Sequence, residues 1–468
     1  MAASASAADL PSRKAAPAEY VKICSAYGNG FFFIPGTDTC VRIGGAARFD
    51  FHYNPGRSII NAATGAVSQV AANQDTSGME VRGILSVDGR TETPYGTVQT
   101  VFRWRLTMTD GIRATSSPAN FQTSYAPKEQ GAAPGNTLER AYIRFGGLSV
   151  GVIDDEFSPM PSLFLNGNFT PGFTNGVKAI GYTQTFGGGF SANLQIQARG
   201  DFAYDSTTST AVAPSAVATG GRNTYVTQLD TGYNLVGVLR NDASWGMAQV
   251  GVAIGNNSTS TAPNTTNNLL LGPQTYASWA ISPVVNIKLP MIAPGDNIWL
   301  QFAYGHGMIG EVTGNSASNL TSDSSNKRAL GGVQRVDTNL VPTNVTAAGV
   351  PVSYGLEDAY MLFAGYTHFW TPSLRSSFGA MYMRFLPPTA NANGVGAGLN
   401  TQNGSATLWQ VQGNLIWSPT RQFDIGVELA YGEMKSRIQN PTAAFVAAGS
   451  PGLNNSILMS KMRLQRTF

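Results

Sequence analysis

Charge, cysteine, histidine and long apolar runs are all scarce in this sequence. Only 12% of its 468 residues are charged, about half the ~25% usual for a soluble globular chain. Two cysteines exclude a disulfide-dense mini-protein, a zinc ribbon and an iron–sulfur site, and leave room for one bridge. The net charge of +3 is spread along the chain, without the concentrated basic patch of a nucleic-acid binder. No run of about 18 uninterrupted apolar residues occurs, which excludes a helical membrane protein. The three histidines, His52, His306 and His368, lie far apart and show no spacing with a nucleophile, so catalysis finds no support. Gly394, Gly396 and Gly398 fall in a loop pattern rather than between a strand and a helix, which is no dinucleotide fingerprint. Asp323 and its neighbours do not match a calcium loop. No cofactor or metal site is expected.

What the chain does have is glycine, 53 residues of it, and a length fitting about three ordinary domains or one large architecture. The opening MAASASAADLP places Ala5-Ser6-Ala7 before Ala8, a small-residue pattern of signal-peptidase type. Residues 1–7 therefore read as the tail of a removed signal or, alternatively, as an uninformative Ala/Ser tail. A Pro/Ala/charge linker follows over 9–19, then an aromatic-rich turn enclosed by Cys24 and Cys40. In an oxidising compartment these two should pair, which stabilises by about 3 kcal/mol in the chain-entropy model. The expected division is 1–7, an N-terminal segment 8–39, and one large unit over 40–468.

From Cys40 onward, stretches of about ten residues alternate in polarity and end in a turn or loop. In VRIGGAARFDFHY, Val41, Ile43, Phe49, Phe51 and Tyr53 oppose Arg42, Arg48, Asp50 and His52. The next stretch sets Met79, Val81, Leu85 and Val87 against Glu80, Arg82, Ser86, Asp88 and Arg90. The third sets Phe102, Trp104, Leu106 and Met108 against Gln99, Arg103, Arg105 and Thr107. Successive side chains of a strand point to opposite faces, so each stretch is a strand with one apolar and one polar face. Alternation alone also fits a soluble sandwich, and connection lengths decide between the two. Short turns near 89–96, 146–147, 187–189, 241–244, 289–296, 371–374 and 418–421 alternate with long polar loops near 54–76, 110–136, 154–176, 200–222, 255–274, 306–356, 387–405 and 433–456. Seven short and eight long connections in strict alternation make sixteen strands, with turns at one end and loops at the other. The expected fold is all-β, a 16-stranded antiparallel transmembrane β-barrel with short periplasmic turns and long extracellular loops. Tyr53, Phe369, Trp370, Phe385, Trp417, Phe423 and Tyr431 near strand ends fit aromatic girdles at the lipid boundary.

The start, YVKICSAYGNGFFFIPGTDTCVRIGG, and the close, MRLQRTF, resemble the two ends of alphaproteobacterial general porins. In layout the resemblance covers residues 8–468. It implies a homotrimer of barrels, each a passive channel narrowed by an infolded third loop, and a terminal aromatic, here Phe468, read by the barrel assembly machinery. Arg466 departs from the family, which often has an apolar residue there; alternation aims it at lipid, where it snorkels to the headgroups.

A barrel of this size leaves an aqueous lumen whose selectivity follows from width and wall charge. Alternation puts Arg42, Arg48, Arg82, Arg90, Arg103, Arg105, Arg140 and Arg144 on the wall of the first four strands, against the acids Asp50, Glu80 and Asp88. By resemblance the third loop, beginning Asp154, Asp155, Glu156, folds in opposite them and sets up a transverse field. Arg82, Arg103 and Arg105 are mid-strand and lead the candidates, and the balance hints at a weak preference for anions. The expected function is an outer-membrane pore for small hydrophilic solutes and ions in a Gram-negative envelope, surrounded by lipid and lipopolysaccharide. A sugar-specific channel and a non-conducting anchor or adhesin, with residues 20–39 as plug, are the alternatives.

Overall fold

The computed structural model describes residues 22–53, 58–60, 67–69, 77–114, 123–126, 135–165, 176–198, 226–229, 233–261, 274–313, 340–345, 351–386, 405–437 and 452–468. The signal and linker assignments over 1–19 lie outside the described residues, as do Asp323 and Gly394, Gly396 and Gly398. Sixteen strands form the wall. They are β1 Thr39–Tyr53, β2 Ser77–Thr93, β3 Gly96–Ala114, β4 Gly135–Phe145, β5 Leu148–Ile153 and β6 Val177–Gly187. There follow β7 Phe190–Ala198, β8 Tyr233–Ala243, β9 Gly246–Thr261, β10 Gln274–Lys288 and β11 Asn297–His306. The ring ends with β12 Asp358–Thr371, β13 Leu374–Leu386, β14 Ala406–Thr420, β15 Phe423–Arg437 and β16 Gly452–Thr467.

Each strand pairs antiparallel with the next, and β16 pairs back onto β1 with Phe49 opposite Leu464. The sheet is closed, and no ladder edge faces lipid. Phe468 completes the seam, donating its backbone N–H to Gly45 and accepting that residue's N–H in return. At Gly45 a Cβ would clash with the backbone carbonyl of Ile84 and meet the Phe468 ring at 2.9 Å, so a glycine is needed for β2 and the terminus to lie that close.

Burial inverts the order of a soluble protein. Met79 and Val81 are 49% and 52% exposed on the outside, whereas Glu80 between them is 3% exposed inside. The alternation of the sequence is therefore lipid-facing apolar against lumen-facing polar. Tyr53, Trp370, Trp417 and Tyr431 are exposed on the outer face, as girdle residues should be. Phe385 and Phe369 are not. Phe385 is fully buried among Met361, Met383 and Leu408, and Phe369 lines an internal cavity. Both sit on the inward parity of their strands, so they belong to the lumen rather than to the girdles.

The long connections are less bare than their composition suggests. Residues 58–60 and 67–69 pair as a hairpin, as do 340–345 and 351–356. Strands β3 and β9 run on past the barrel and pair with Thr123–Ala126 and Val226–Leu229. At the opposite, turn side, Cys24 and Cys40 are joined in a disulfide. It closes a hairpin whose Phe32 and Phe33 pair with Val41 and Cys40 of β1.

Candidate functional site

All eight arginines of the expected basic wall lie on the lumen face of β1 to β4, but few stand as bare charges. Arg42 and Arg90 share Asp88, at 3.4 and 2.8 Å. Arg82 binds Glu80 at 2.6 Å. Arg48 donates to Gln465 at 2.8 Å and Arg144 to Ser149 at 3.0 Å. Arg103 and Arg105 converge on Glu139, at 2.9 and 2.5 Å. Glu139 is an inward acid beyond the three expected, and a β-bulge puts it there. Arg103 pairs with Arg140 and Trp104 with Leu138, so Glu139 is the extra residue of β4 and faces inward beside Arg140. The signal is present in TLERAYIRF, where the apolar spacing stretches from two to three between Leu138 and Ala141.

The segment after β5 does fold inward, and residues 154–165 track along the inner wall from β7 to β16. Asp154 takes Arg140 Nε at 2.5 Å and is the acid that meets the basic wall. Asp155 turns the other way, accepting from Gln197 at 3.2 Å and from the backbone N–H of Phe157 at 3.1 Å. Through these bonds it caps the bend. Glu156 lies between: burial and the Asp154 carboxylate push its carboxyl above the usual carboxylate range, and Arg240 pulls the other way. The Glu156 carbonyl accepts from Gln249 at 2.7 Å, and Ser158 from Gln301 at 3.1 Å.

Phe157 then buries against Val236, Val238, Ala253, Ala280 and Met308, and Phe164 against Phe363, Met381 and Met383. Inward glycines make room for these side chains. A Cβ at Gly365 would meet Leu163 at 2.9 Å, at Gly379 the Phe164 ring at 2.5 Å, at Gly426 Leu165 at 3.0 Å and at Gly251 Phe157 at 3.1 Å. The far end is held by charge. Leu165 donates its N–H to Glu428 at 2.6 Å, and its carbonyl accepts from Lys461 at 3.1 Å and Arg463 at 2.7 Å. Arg463 also forks onto Asp50 at 2.6 and 2.7 Å, the bidentate geometry of a strong pair. A short helix, Ile309–Thr313, adds Ile309 and Val312 to the same apolar cluster. The lumen is thus lopsided, filled over β8 to β16 and lined by arginine–carboxylate groups over β1 to β4.

At the turn-side mouth the disulfide hairpin covers part of that basic wall. Phe31 is buried beneath the guanidinium groups of Arg42 and Arg90, 4.9 and 5.0 Å from its ring centre. Tyr27 donates to Glu92 at 3.0 Å. Arg42 and Arg90 therefore belong to the mouth, apart from the mid-barrel group of Arg82, Arg103 and Arg105.

Residues 9–451 match the family model described as Porin subfamily. The chain belongs to this porin family. Among curated relatives, Porin Omp2a of Brucella melitensis is 30% identical over 189 residues, covering 39% of this chain and 48% of the relative. Porin Omp2b of Brucella suis is 30% identical over 188 residues, 39% of this chain and 46% of that protein. The chain spans about half the length of the curated relatives it matches. Among solved structures, the outer membrane channel DcaP of Acinetobacter baumannii superposes over 93% of this chain and 99% of its own, with a TM-score of 0.56 at 14% identity. That likeness is one of fold. As a porin-family barrel, this chain is an outer-membrane protein that crosses the bilayer with its strands.

Proposed function

We propose that this porin is a passive diffusion channel for small hydrophilic solutes and ions. The observation that carries the reading is the closed ring with a polar, charge-lined inner face beside a segment folded into the lumen. A water-filled passage accounts for arginines and carboxylates along β1 to β4, where an apolar filling would not. On this reading the narrowest passage runs between the Arg82, Arg103 and Arg105 group and the infolded segment at Asp154. Each arginine with its carboxylate orders water across the gap and favours polar solutes over apolar ones. Residues 8–39 then form a periplasmic segment, 40–468 the channel, and the turn side faces the periplasm.

Three partners complete the proposal. A homotrimer follows from the family resemblance, with barrels meeting along apolar outer faces. Phe468, at the seam, serves as the signal for the barrel assembly machinery. Lipopolysaccharide surrounds the loop side, where Tyr360, Tyr382 and exposed Arg384 line the outer face. The functional test is swelling of protein-loaded liposomes in neutral sugars of increasing size. Uptake rates that fall smoothly with size and do not saturate fit diffusion. Saturable uptake of one sugar against its isomers favours the substrate-specific channel instead. Chemical cross-linking in native outer membranes tests the trimer, which a monomer-only pattern would contradict.

A further inference from the structure

We propose that the turn-side half of the lumen holds a binding subsite for small amphipathic anions, with an aromatic monocarboxylate as the chemistry it fits. The inference rests on the diffusion-channel reading, since a solute reaches this place through the lumen. A cavity of about 510 Å³ lies between residues 161–163 of the infolded segment and the inner faces of β10 to β14, within the size range of small-molecule sites. Its apolar lining includes Leu163, Trp299, Phe369 and Ile416, and Lys288 and Arg375 bring positive charge.

The charges and hydrogen bonds around the cavity select the ligand. Arg240 nearby is held by Asp242 through two bonds of 2.7 Å. Arg375 binds Asp424 at 2.9 Å and Ser418 at 2.7 Å. The one carboxylate in the lining, Asp296, is committed to His368 at 2.7 Å, to the Tyr366 hydroxyl at 2.8 Å and to the Phe369 N–H at 2.8 Å. That leaves the exposed Lys288 ammonium, which among the described residues makes no ion pair within 4.0 Å and feels the Asp242 carboxylate only at longer range. The polar side chains of the wall are also engaged with the protein: Thr367 with Ser377 at 3.0 Å, Asn286 with the Ile298 carbonyl at 3.2 Å, and Asn297 with the Gly295 carbonyl at 2.9 Å. A sugar needs many free donors and acceptors, and several of those in the lining are already engaged with the protein. A flat apolar ring against Trp299 and Phe369 with its carboxylate on Lys288 needs only the surface and the cation that remain.

The test is block of single-channel potassium chloride current by benzoate, expressed as a fraction of each channel's own current. Acetate and benzyl alcohol serve as the charge-only and ring-only comparisons. Benzoate is expected to reduce the current in a saturable way where both comparisons fail. Lys288→Gln should weaken the apparent benzoate affinity about tenfold, equivalent to about 1.4 kcal/mol, and Trp299→Leu should weaken it as well. Acetate acting as strongly as benzoate, or benzoate block unaltered in Lys288→Gln, overturns the subsite. Should potassium chloride itself carry no current, the channel reading fails by itself. Benzoate quenching of the fluorescence lost in Trp299→Phe then decides the subsite separately in folded, detergent-held protein: quenching supports it, and none overturns it.

Discussion

Replacing Arg103 and Arg105 together by alanine should turn the mid-barrel wall from cationic to anionic. Both guanidinium groups converge on Glu139, so the group carries a net single positive charge before the change and a single negative charge after it. For an ion passing ~7 Å away in water, each unit charge contributes ~0.6 kcal/mol, and screening at 0.1 M salt, with a Debye length of ~10 Å, halves this. Two units then favour a cation by ~0.6 kcal/mol and disfavour an anion equally. The ratio of cation to anion permeability should rise about eightfold, and the reversal potential under a salt gradient measures it. Glu139→Gln alters the charge by one unit in the opposite sense, so it should favour anions about threefold. An unchanged reversal potential in the double variant, or a Glu139→Gln shift of the same sign, would remove this group from the conduction path.

Three further outcomes follow from the geometry. Gly379→Val places a methyl-bearing carbon against the Phe164 ring, 2.5 Å away even at Cβ. Overpacking of this kind costs about 1–3 kcal/mol, so the infolded segment should loosen and open-channel current noise should rise. Gly83→Val, where a Cβ meets nothing within 4 Å, is the control, and equal noise in both contradicts the docking role of Gly379. Loss of the Cys24–Cys40 bridge by a double serine replacement removes about 3 kcal/mol of constraint on the N-terminal hairpin. Proteolysis within 25–38 should accelerate while the barrel keeps its heat-dependent gel mobility; unaltered cleavage would mean that the Phe31 contacts alone hold the hairpin. The third outcome is a pH dependence. Because burial and the Asp154 carboxylate hold the Glu156 carboxyl above the ordinary carboxylate range, falling pH should neutralise it at a pH where an ordinary carboxylate is still charged and move selectivity toward anions. Glu156→Gln should delete that early shift, and its persistence in the variant would assign the effect elsewhere.

The strands were legible because the two faces of each meet solvents of opposite kind. Met79, Glu80 and Val81 illustrate the rule, and all seven short connections are present, five within the expected ranges and two, at 244–245 and 421–422, running one residue past them. What alternation does not report is the filling of the lumen. In β12 the run MLFAG is apolar on both faces, because Met361 and Phe363 meet the infolded segment while Leu362 meets lipid. The same filling turned Phe385 from a girdle residue into an interior one. Glycines 251, 365, 379 and 426 look like ordinary strand glycines until Phe157, Leu163, Phe164 and Leu165 are seated on them. Glu139 was hidden by a single inserted residue, which inverts parity locally without changing composition. The tether of Leu165 by Glu428, Lys461 and Arg463 joins positions nearly 300 residues apart, with separations of 263, 296 and 298, which no local pattern encodes.

The most direct test of the central claim is current through single molecules of the purified, folded protein in a planar bilayer bathed in potassium chloride. Discrete, long-lived steps whose size grows linearly with salt concentration, often in threes, are the result expected of open trimeric pores. Protein that shows its full strand content and heat-dependent mobility yet yields no steps at any salt concentration would contradict the account and make this barrel a closed one.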